Sequence, residues 1–281
     1  MGHTDIPFYV YHFRRAACVG ILVSPFLLQP TTDASATFEG RPVRPGATLD
    51  VRFPIPKYFQ DYAAAGGNPQ PATGRAVISF PKRFDPARTW PVLLISATSD
   101  PHHTNISDAR WYQEPATAEN WIVLAADAMV EPRSDSISWR LGILGAALDT
   151  LHKDWPQSAH WPVAFAGISG GAKWSGILGA MLAKTGTVKI YGFFLTGIND
   201  DRLSAAYDEY RPPPDFLNTP VWLSSGMNDP IAPFAAHERV RTSLEHTGFR
   251  HVRLETFLGR HQVNAAQLQL ALRWFRQMGN F

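Results

Sequence analysis

The chain has 281 residues, with 26 Lys and Arg against 24 Asp and Glu, so its formal net charge is +2. This length allows one large domain with a full core. The nearly balanced charge, without a stripe of basic residues, gives no support to nucleic acid as a partner. A single cysteine, Cys18, excludes an internal disulfide and a cysteine metal site.

The first 36 residues have the pattern of a secretory signal peptide. A basic pair at 14–15 precedes an apolar run over 16–28, and Ala34-Ser35-Ala36 matches a signal-peptidase site. The apolar run is too short, and too interrupted by proline, to predict a membrane span. The sequence therefore predicts a signal peptide over 1–36, a mature domain over 37–281 and a periplasmic or secreted location. A twin-arginine signal and a buried N-terminal helix are the alternatives.

Beyond residue 37, short apolar runs alternate with helical patterns. Predicted strands cover 47–53, 74–80, 91–96, 121–126, 161–166, 189–196, 221–225 and 251–257, and predicted helices cover 138–153, 172–184, 233–247 and 263–278. Residues 58–73, rich in Ala, Gly and Pro, predict a loop. Continuous apolar runs are typical of strands covered on both faces. The alternation predicts an α/β fold with a mostly parallel sheet.

The pentapeptide at 167–171, Gly-Ile-Ser-Gly-Gly, joins a predicted strand to a predicted helix. In a sharp strand–turn–helix connection the central serine adopts a strained conformation and projects as a nucleophile. Residues without Cβ let the strand and the helix approach closely. The helix N-terminus offers free N–H groups to a developing oxyanion. Ser169 is therefore the candidate nucleophile.

A serine nucleophile needs a base to take its proton, and the base needs an orienting acid. On a parallel sheet such groups project from the carboxyl ends of different strands. Asp229 follows the predicted strand over 221–225, and His261 follows the one over 251–257. These two residues are the candidate acid and base.

Other residues compete for both roles. Asp200 and Asp201 follow the strand over 189–196 and form an alternative position for the acid. His102 and His103 are the notable alternatives to the base, and they follow the predicted strand over 91–96. Neither pair has the spacing of a known metal-ligand pattern, so we expect no metal.

The turn at 167–171 has the pattern of a nucleophile elbow, and is called the elbow below. Together with the chain order Ser169, Asp229 and His261, it makes this sequence resemble the α/β-hydrolase superfamily. The segment over 80–95 is similar to the lead-in strand pair of secreted esterases of the feruloyl-esterase and polyhydroxybutyrate-depolymerase type. The resemblance implies an α/β-hydrolase fold, with helices on both faces of a mostly parallel sheet and little or no cap. It also implies that Ser169 is the nucleophile, Asp229 the acid and His261 the base, with no cofactor.

The loop after the strand over 91–96 departs from this pattern. Such esterases usually carry His-Gly there, whereas this chain reads Ala97-Thr98-Ser99. The oxyanion hole would then consist of the Gly170 N–H and one N–H from this loop, that of Thr98 or Ser99. Trp174, one turn into the following helix, is either a core residue or a wall of the substrate pocket.

The predicted function is that of an exported serine hydrolase that cleaves carboxylic esters, with a small-molecule or polymer-derived ester as its substrate. Two alternatives remain. One is a serine peptidase of the prolyl-oligopeptidase kind, which shares this catalytic domain. The other is a binding protein on a hydrolase scaffold that has lost turnover. After processing, the sequence predicts no membrane span.

Overall fold

The structure, a computed structural model, describes residues 36–186 and 188–281. The predicted signal peptide lies outside the described residues except for Ala36, whose carbonyl accepts a hydrogen bond from Val43 N–H at 2.7 Å. In the described part of the chain, no helix combines the length and the apolar character needed to cross a bilayer.

From β5 onward, each strand is followed by one or two helices. The strands are β1 Thr37–Phe38, β2 Arg41–Pro42, β3 Thr48–Pro54, β4 Thr73–Ser79, β5 Val92–Ser96, β6 Ile122–Ala128, β7 Val163–Ile168, β8 Ile190–Thr196, β9 Val221–Gly226 and β10 Val252–Phe257. The helices are α1 Lys57–Ala63, α2 Asn105–Ala109, α3 Gln113–Ala118, α4 Ile137–Asp154, α5 Gly170–Thr185, α6 Arg202–Tyr210, α7 Phe234–Thr247 and α8 Ala265–Gly279, with 3-10 turns at Pro156–His160 and Pro214–Asn218. Each predicted strand and helix is present, with ends within about two residues of the prediction.

Eight of the strands in the described ranges form one sheet in the order β10-β9-β8-β7-β5-β6-β4-β3. Strand β4 runs antiparallel to both of its neighbours, and the remaining pairs are parallel. Strand β7 pairs with β5 although β6 lies between them in sequence, so the connections leave β5 and β6 toward opposite sides of the sheet. A crevice forms at such a switch point, beyond the carboxyl ends of the strands.

Alternate residues along each central strand face opposite sides of the sheet. In β5, Leu94 belongs to the core under α1, α4, α5, α6 and α7, whereas Leu93 belongs to the core under α2, α3 and α8. Helices therefore cover both faces. The predicted fold class, a mostly parallel sheet between two helical layers, is confirmed.

The predicted loop over 58–73 is wrong at its start, because it contains helix α1. Phe59 and Ala63 of this helix are buried against α4. Two glycines of α4 make the space: a Cβ at Gly142 would lie 2.9 Å from the Ala63 Cβ, and one at Gly145 would lie 2.3 Å from the Phe59 ring. Tertiary packing thus forms a helix that the local composition does not indicate.

The segment over 199–219, between β8 and β9, contains α6 and the second 3-10 turn and forms no separate cap. Leu203 of α6 is fully buried, and a Cβ at Gly176 in α5 would lie 3.0 Å from the Leu203 Cβ. This segment is therefore part of the helical layer beside α5.

Candidate active site

Ser169 lies in a strained turn between β7 and α5, with φ 56° and ψ −120°. Its N–H donates to the carbonyl of Thr196 at the end of β8, at 3.0 Å. The flanking glycines are required by space: a Cβ at Gly167 would lie 2.2 Å from the carbonyl carbon of Gly171, and a Cβ at Gly171 would lie 2.1 Å from the Ser96 oxygen. The sequence pattern thus produces the strained backbone expected of an exposed nucleophile.

Gly170 is the first residue of α5, so its N–H has no partner within the helix. The N-terminal end of the helix also carries a partial positive charge. The N–H of Gly170 is therefore suited to bind a negative oxygen formed next to Ser169.

Asp229 and His261 form a direct pair. The Nδ1–H of His261 donates to Oδ2 of Asp229 at 2.7 Å, and the other carboxylate oxygen accepts from the N–H groups of Ile231 and Ala232 at 2.8 and 3.0 Å. The Asp229 side chain is only 1% exposed. Burial acts to raise the pKa of Asp229, but the hydrogen bonds from Ala232, His261 and Ile231 outweigh it and lower this pKa below its usual value. The ionised carboxylate accepts, and so fixes the proton of His261 on Nδ1.

Main-chain contacts join the loop of Asp229 to the loop of His261. The N–H of Met227 donates to the Phe257 carbonyl, and the N–H of Asn228 donates to the Gly259 carbonyl, each at 2.9 Å. A Cβ at Gly226 would lie 2.3 Å from the carbonyl oxygen of Arg260. The backbone therefore sets the relative position of Asp229 and His261.

Gly197 brings the imidazole of His261 close to the elbow. It follows Thr196, which binds the Ser169 N–H, and a Cβ at Gly197 would lie 2.6 Å from Cε1 of His261. With φ +57°, Gly197 also has a conformation that other residues rarely adopt. Among the described residues, no hydrogen bond links Ser169 Oγ to Nε2 of His261. Such bonds are often long before a substrate binds.

The alternative residues have other contacts. Asp200 pairs with Arg202 at 2.7 Å, and Asp201 caps α6 by accepting from the N–H groups of Leu203 and Ser204. Neither carboxylate has a hydrogen bond or ion pair with a histidine in the described part of the chain.

Of the alternative bases, His103 bonds to Asp108 at 2.9 Å and is not part of the Asp229–His261 pair. Its hydrogen bond to Asp108 raises the pKa of His103.

The loop after β5 carries the other candidate oxyanion donors. Thr98 packs against the elbow, since a Cβ at Gly170 would lie 3.0 to 3.2 Å from Thr98 atoms. The Ala97 N–H donates to Asn105 Oδ1 at 2.8 Å, and the Asn105 amide donates to the carbonyl of Ala126. In the described ranges, the N–H groups of Thr98 and Ser99 have no partner. Both therefore remain available as donors.

A cluster of side chains that the sequence did not indicate lies next to this loop. Arg140 of α4 makes a two-point pair with Asp135 and donates to the Ala97 carbonyl at 2.9 Å. The Ser99 hydroxyl bonds to Asp135 and accepts from the Trp174 indole N–H at 2.7 Å. Within the predicted helix over 138–153, Arg140 has no feature that separates it from an ordinary solvent-facing arginine.

Trp174 does not belong to the core. Its ring is partly exposed, and the guanidinium of Arg140 lies 4.6 Å above the ring centroid. Since its N–H bonds to Ser99, the indole lies beside the loop that carries the candidate oxyanion donors.

The described residues contain no group of three or more His, Cys, Asp or Glu that could hold a metal ion. Ser169, His261 and the free N–H groups next to them are of the types that can serve as nucleophile, base and oxyanion donors.

No family model and no curated protein matches this sequence. Solved structures do match. EstE1, a thermostable carboxylesterase cloned from a metagenomic library, is 16% identical over 84% of this chain and 90% of its own, with a TM-score of 0.58. The esterase Pf2001 of Pyrococcus furiosus is 14% identical over 84% of this chain and 91% of its own, with a TM-score of 0.52.

A putative dipeptidyl aminopeptidase IV from Bacteroides ovatus is 13% identical over 86% of this chain, but the match covers only 36% of the peptidase, with a TM-score of 0.53. At these identities the likeness is one of fold. Together with the strand order, it shows that this chain has the α/β-hydrolase fold.

Proposed function

We propose that this protein is a serine hydrolase that cleaves carboxylic esters through an acyl-enzyme on Ser169. One observation carries the proposal. Ser169 lies in a strained turn near the ring of His261, and Nδ1 of this ring donates to the buried carboxylate of Asp229. The presence of carboxylesterases among proteins of similar fold supports ester hydrolysis. A lone elbow would not carry this conclusion, because the turn by itself supplies no base.

In the proposed reaction, Ser169 Oγ attacks the ester carbonyl carbon while its proton passes to Nε2 of His261. Asp229 keeps the other nitrogen protonated and stabilises the imidazolium that forms. The tetrahedral intermediate collapses with loss of the alcohol, to which His261 returns the proton. Water then attacks the acyl-enzyme with His261 again as the base, and the acid and free Ser169 result.

The negative oxygen of each tetrahedral intermediate would bind to the N–H of Gly170 and to one N–H of the loop after β5, that of Thr98 or Ser99. Donors placed in advance at this point stabilise the transition state more than the ground state. Trp174, beside this loop, would form one wall of the substrate pocket.

The surface around the proposed site favours an apolar ester. Met227 and Ile231, on the loop of Asp229, and Phe234, the first residue of α7, have exposed fractions of 63, 56 and 41%, and Leu258, three residues before His261, is 83% exposed. Exposed apolar side chains on the segments that carry Asp229 and His261 would favour the binding of apolar groups. The substrate would be a small-molecule ester or an ester derived from a polymer.

A comparison of esters with amides tests the reaction class against the peptidase alternative. We expect purified protein to hydrolyse short-chain p-nitrophenyl or aryl esters, and matched anilides far more slowly, because an amide nitrogen must be protonated as it leaves and needs closer positioning. Both activities should disappear in Ser169→Ala. Comparable kcat/KM values for a peptide anilide and its ester would favour the peptidase.

We also propose that the protein is exported and processed after Ala36. The signal pattern over 1–36 supports this. N-terminal sequencing of natively expressed protein from outside the cytoplasm should find Thr37 as the first residue. A cytoplasmic protein that retains Met1 or Gly2 would contradict the proposal.

A further inference from the structure

Arg140 is a nearly buried cation that the proposed reaction does not use. Its side chain is 10% exposed, and that of Asp135 is 22% exposed. Nε and Nη2 of Arg140 bond to the two oxygens of Asp135 at 2.9 and 2.7 Å. This two-point pairing fixes the plane of the guanidinium and leaves Nη1 pointing toward the Ala97 carbonyl, to which it donates at 2.9 Å.

That contact determines the direction of a neighbouring N–H. The carbonyl of Ala97 and the N–H of Thr98 belong to the same peptide unit. Because a trans peptide is planar, its C=O and N–H point in opposite directions, and the described chain contains no cis peptide. An arginine that holds the Ala97 oxygen on one side therefore directs the Thr98 N–H to the other side. A cation at the oxygen also polarises the peptide and strengthens its N–H as a donor.

The position of Thr98 makes this orientation relevant to chemistry. Thr98 packs on Gly170, directly after the nucleophile: a Cβ at Gly170 would lie 3.2 Å from both Cα and Oγ1 of Thr98. The Thr98 N–H has no partner among the described residues. Ser99 differs, since its hydroxyl donates to Asp135 and accepts from the Trp174 indole N–H and, at 3.3 Å, from Nη2 of Arg140.

Resting on the function proposed above, we infer that Arg140 is a positioning residue that orients the Ala97–Thr98 peptide, and that Thr98 supplies the second oxyanion donor. Asp135 and the Trp174 ring hold the guanidinium in place. The loop has no glycine between Ser96 and Asp100, so a side chain from α4 provides the orientation that the local sequence does not.

Arg140→Met tests this inference, since methionine retains much of the packing on Trp174 but removes the hydrogen bond to the Ala97 carbonyl, together with those to Asp135 and Ser99. We expect kcat for an aryl ester to fall up to about 10²-fold with KM changed less than about 2-fold, the pattern for an interaction made only in the transition state. Affinity for an aryl boronic acid, which forms a tetrahedral adduct on the serine, should fall in parallel with kcat/KM. If Arg140 only stabilised the fold, boronic acid affinity and kcat/KM would not fall together.

Arg273→Met is the matched control, because Arg273 makes a similar two-point pair with Glu119 on the surface at 2.8 and 2.7 Å. Its kcat should remain close to the wild-type value. If Arg140→Met does not fold, as judged by thermal unfolding, Asp135→Asn serves as the second variant. This variant retains Arg140 but weakens the two-point pair that fixes the plane of its guanidinium. We expect a smaller fall in kcat, again with little change in KM.

The outcomes separate this inference from the proposed function. If the wild type shows Ser169-dependent turnover but Arg140→Met retains kcat, or changes only KM, the inference is overturned and the proposed function stands. Equal boronic acid affinity in the two proteins would overturn it as well. If the wild type shows no Ser169-dependent turnover, the proposed function and the inference both fail.

Discussion

The two sides of the candidate site are fixed in different ways. On the acid–base side, Asp229 and His261 lie on loops joined by main-chain hydrogen bonds and by glycines that leave no room for side chains. On the oxyanion side, the loop after β5 is positioned by the side chains of Asn105 and Arg140. A backbone contact survives most substitutions, whereas a side-chain contact depends on one residue. The acid–base geometry should therefore tolerate substitutions that disturb the oxyanion loop.

The largest effect should come from Asp229, the proposed acid. Asp229→Asn would remove the carboxylate that fixes the His261 tautomer, and we expect kcat to fall about 10³- to 10⁴-fold. The measurement is steady-state hydrolysis of an aryl ester. Asp201→Asn is the control, because asparagine caps a helix as well as aspartate does, and its kcat should change less than about 2-fold. The reverse ranking would move the acid to the end of β8.

Gly197→Ala tests whether the absence of a side chain at Gly197 sets the position of the His261 ring. The added Cβ would lie 2.6 Å from Cε1 of His261, so the ring must move, and we expect kcat to fall about 10- to 10²-fold. Gly186→Ala provides the control, since Gly186 has a similar φ of +69° but open space around it. Both variants should lose about 1 kcal/mol of unfolding free energy, but only Gly197→Ala should lose activity. Equal activities would show that Gly197 does not set the ring position.

Asn105→Ala tests the other side of the comparison. It would leave the Ala97 N–H and the Ala126 carbonyl without the partners they have now. We expect a loss of about 1–3 kcal/mol in unfolding free energy and roughly a 10-fold fall in kcat from the displaced loop. Chemical denaturation and kinetics measure the two effects. Gln60→Ala, which breaks a side-chain bond to the Ile55 carbonyl at α1, should leave kcat unchanged. An unchanged kcat in Asn105→Ala would mean that the loop holds its own conformation.

The smallest effect should be on the pH dependence of stability. The pKa of Asp229 is lowered in the folded state from its usual value of 3.8, so its ionised form stabilises the fold above that value. This contribution is lost as the pH falls through the lowered pKa. The difference in unfolding free energy between the wild type and Asp229→Asn should therefore be larger at about pH 7 than at about pH 3. If this difference in unfolding free energy were larger at about pH 3 than at about pH 7, the direction of the Asp229 pKa shift would be contradicted.

Much of the fold could be predicted from sequence because its signals are local. Apolar runs predicted the strands, and the Gly-x-Ser-x-Gly spacing predicted a turn whose glycines have no room for a Cβ. Helix α1 could not be predicted, because the glycines of α4 that accommodate it are more than 75 residues away in the chain.

The candidate site divides in the same way. Sequence narrowed the acid to Asp229, Asp200 or Asp201, since each follows a strand, but only the structure shows which one contacts a histidine. The role of Arg140 had no local signal. Its partner, the carbonyl of Ala97, is 43 residues away in the chain, and an arginine within a predicted helix is usually expected to face solvent.

Covalent labelling tests the central claim most directly. The wild-type protein would be treated with a fluorophosphonate probe, and the modified residue located by peptide mass spectrometry, with Ser169→Ala and His261→Ala treated in parallel. We predict a single adduct on Ser169, its absence in Ser169→Ala, and greatly slowed labelling in His261→Ala, since only an activated serine attacks phosphorus rapidly. No adduct on folded wild-type protein would favour the inactive binding protein, and an adduct on another residue would place the nucleophile elsewhere.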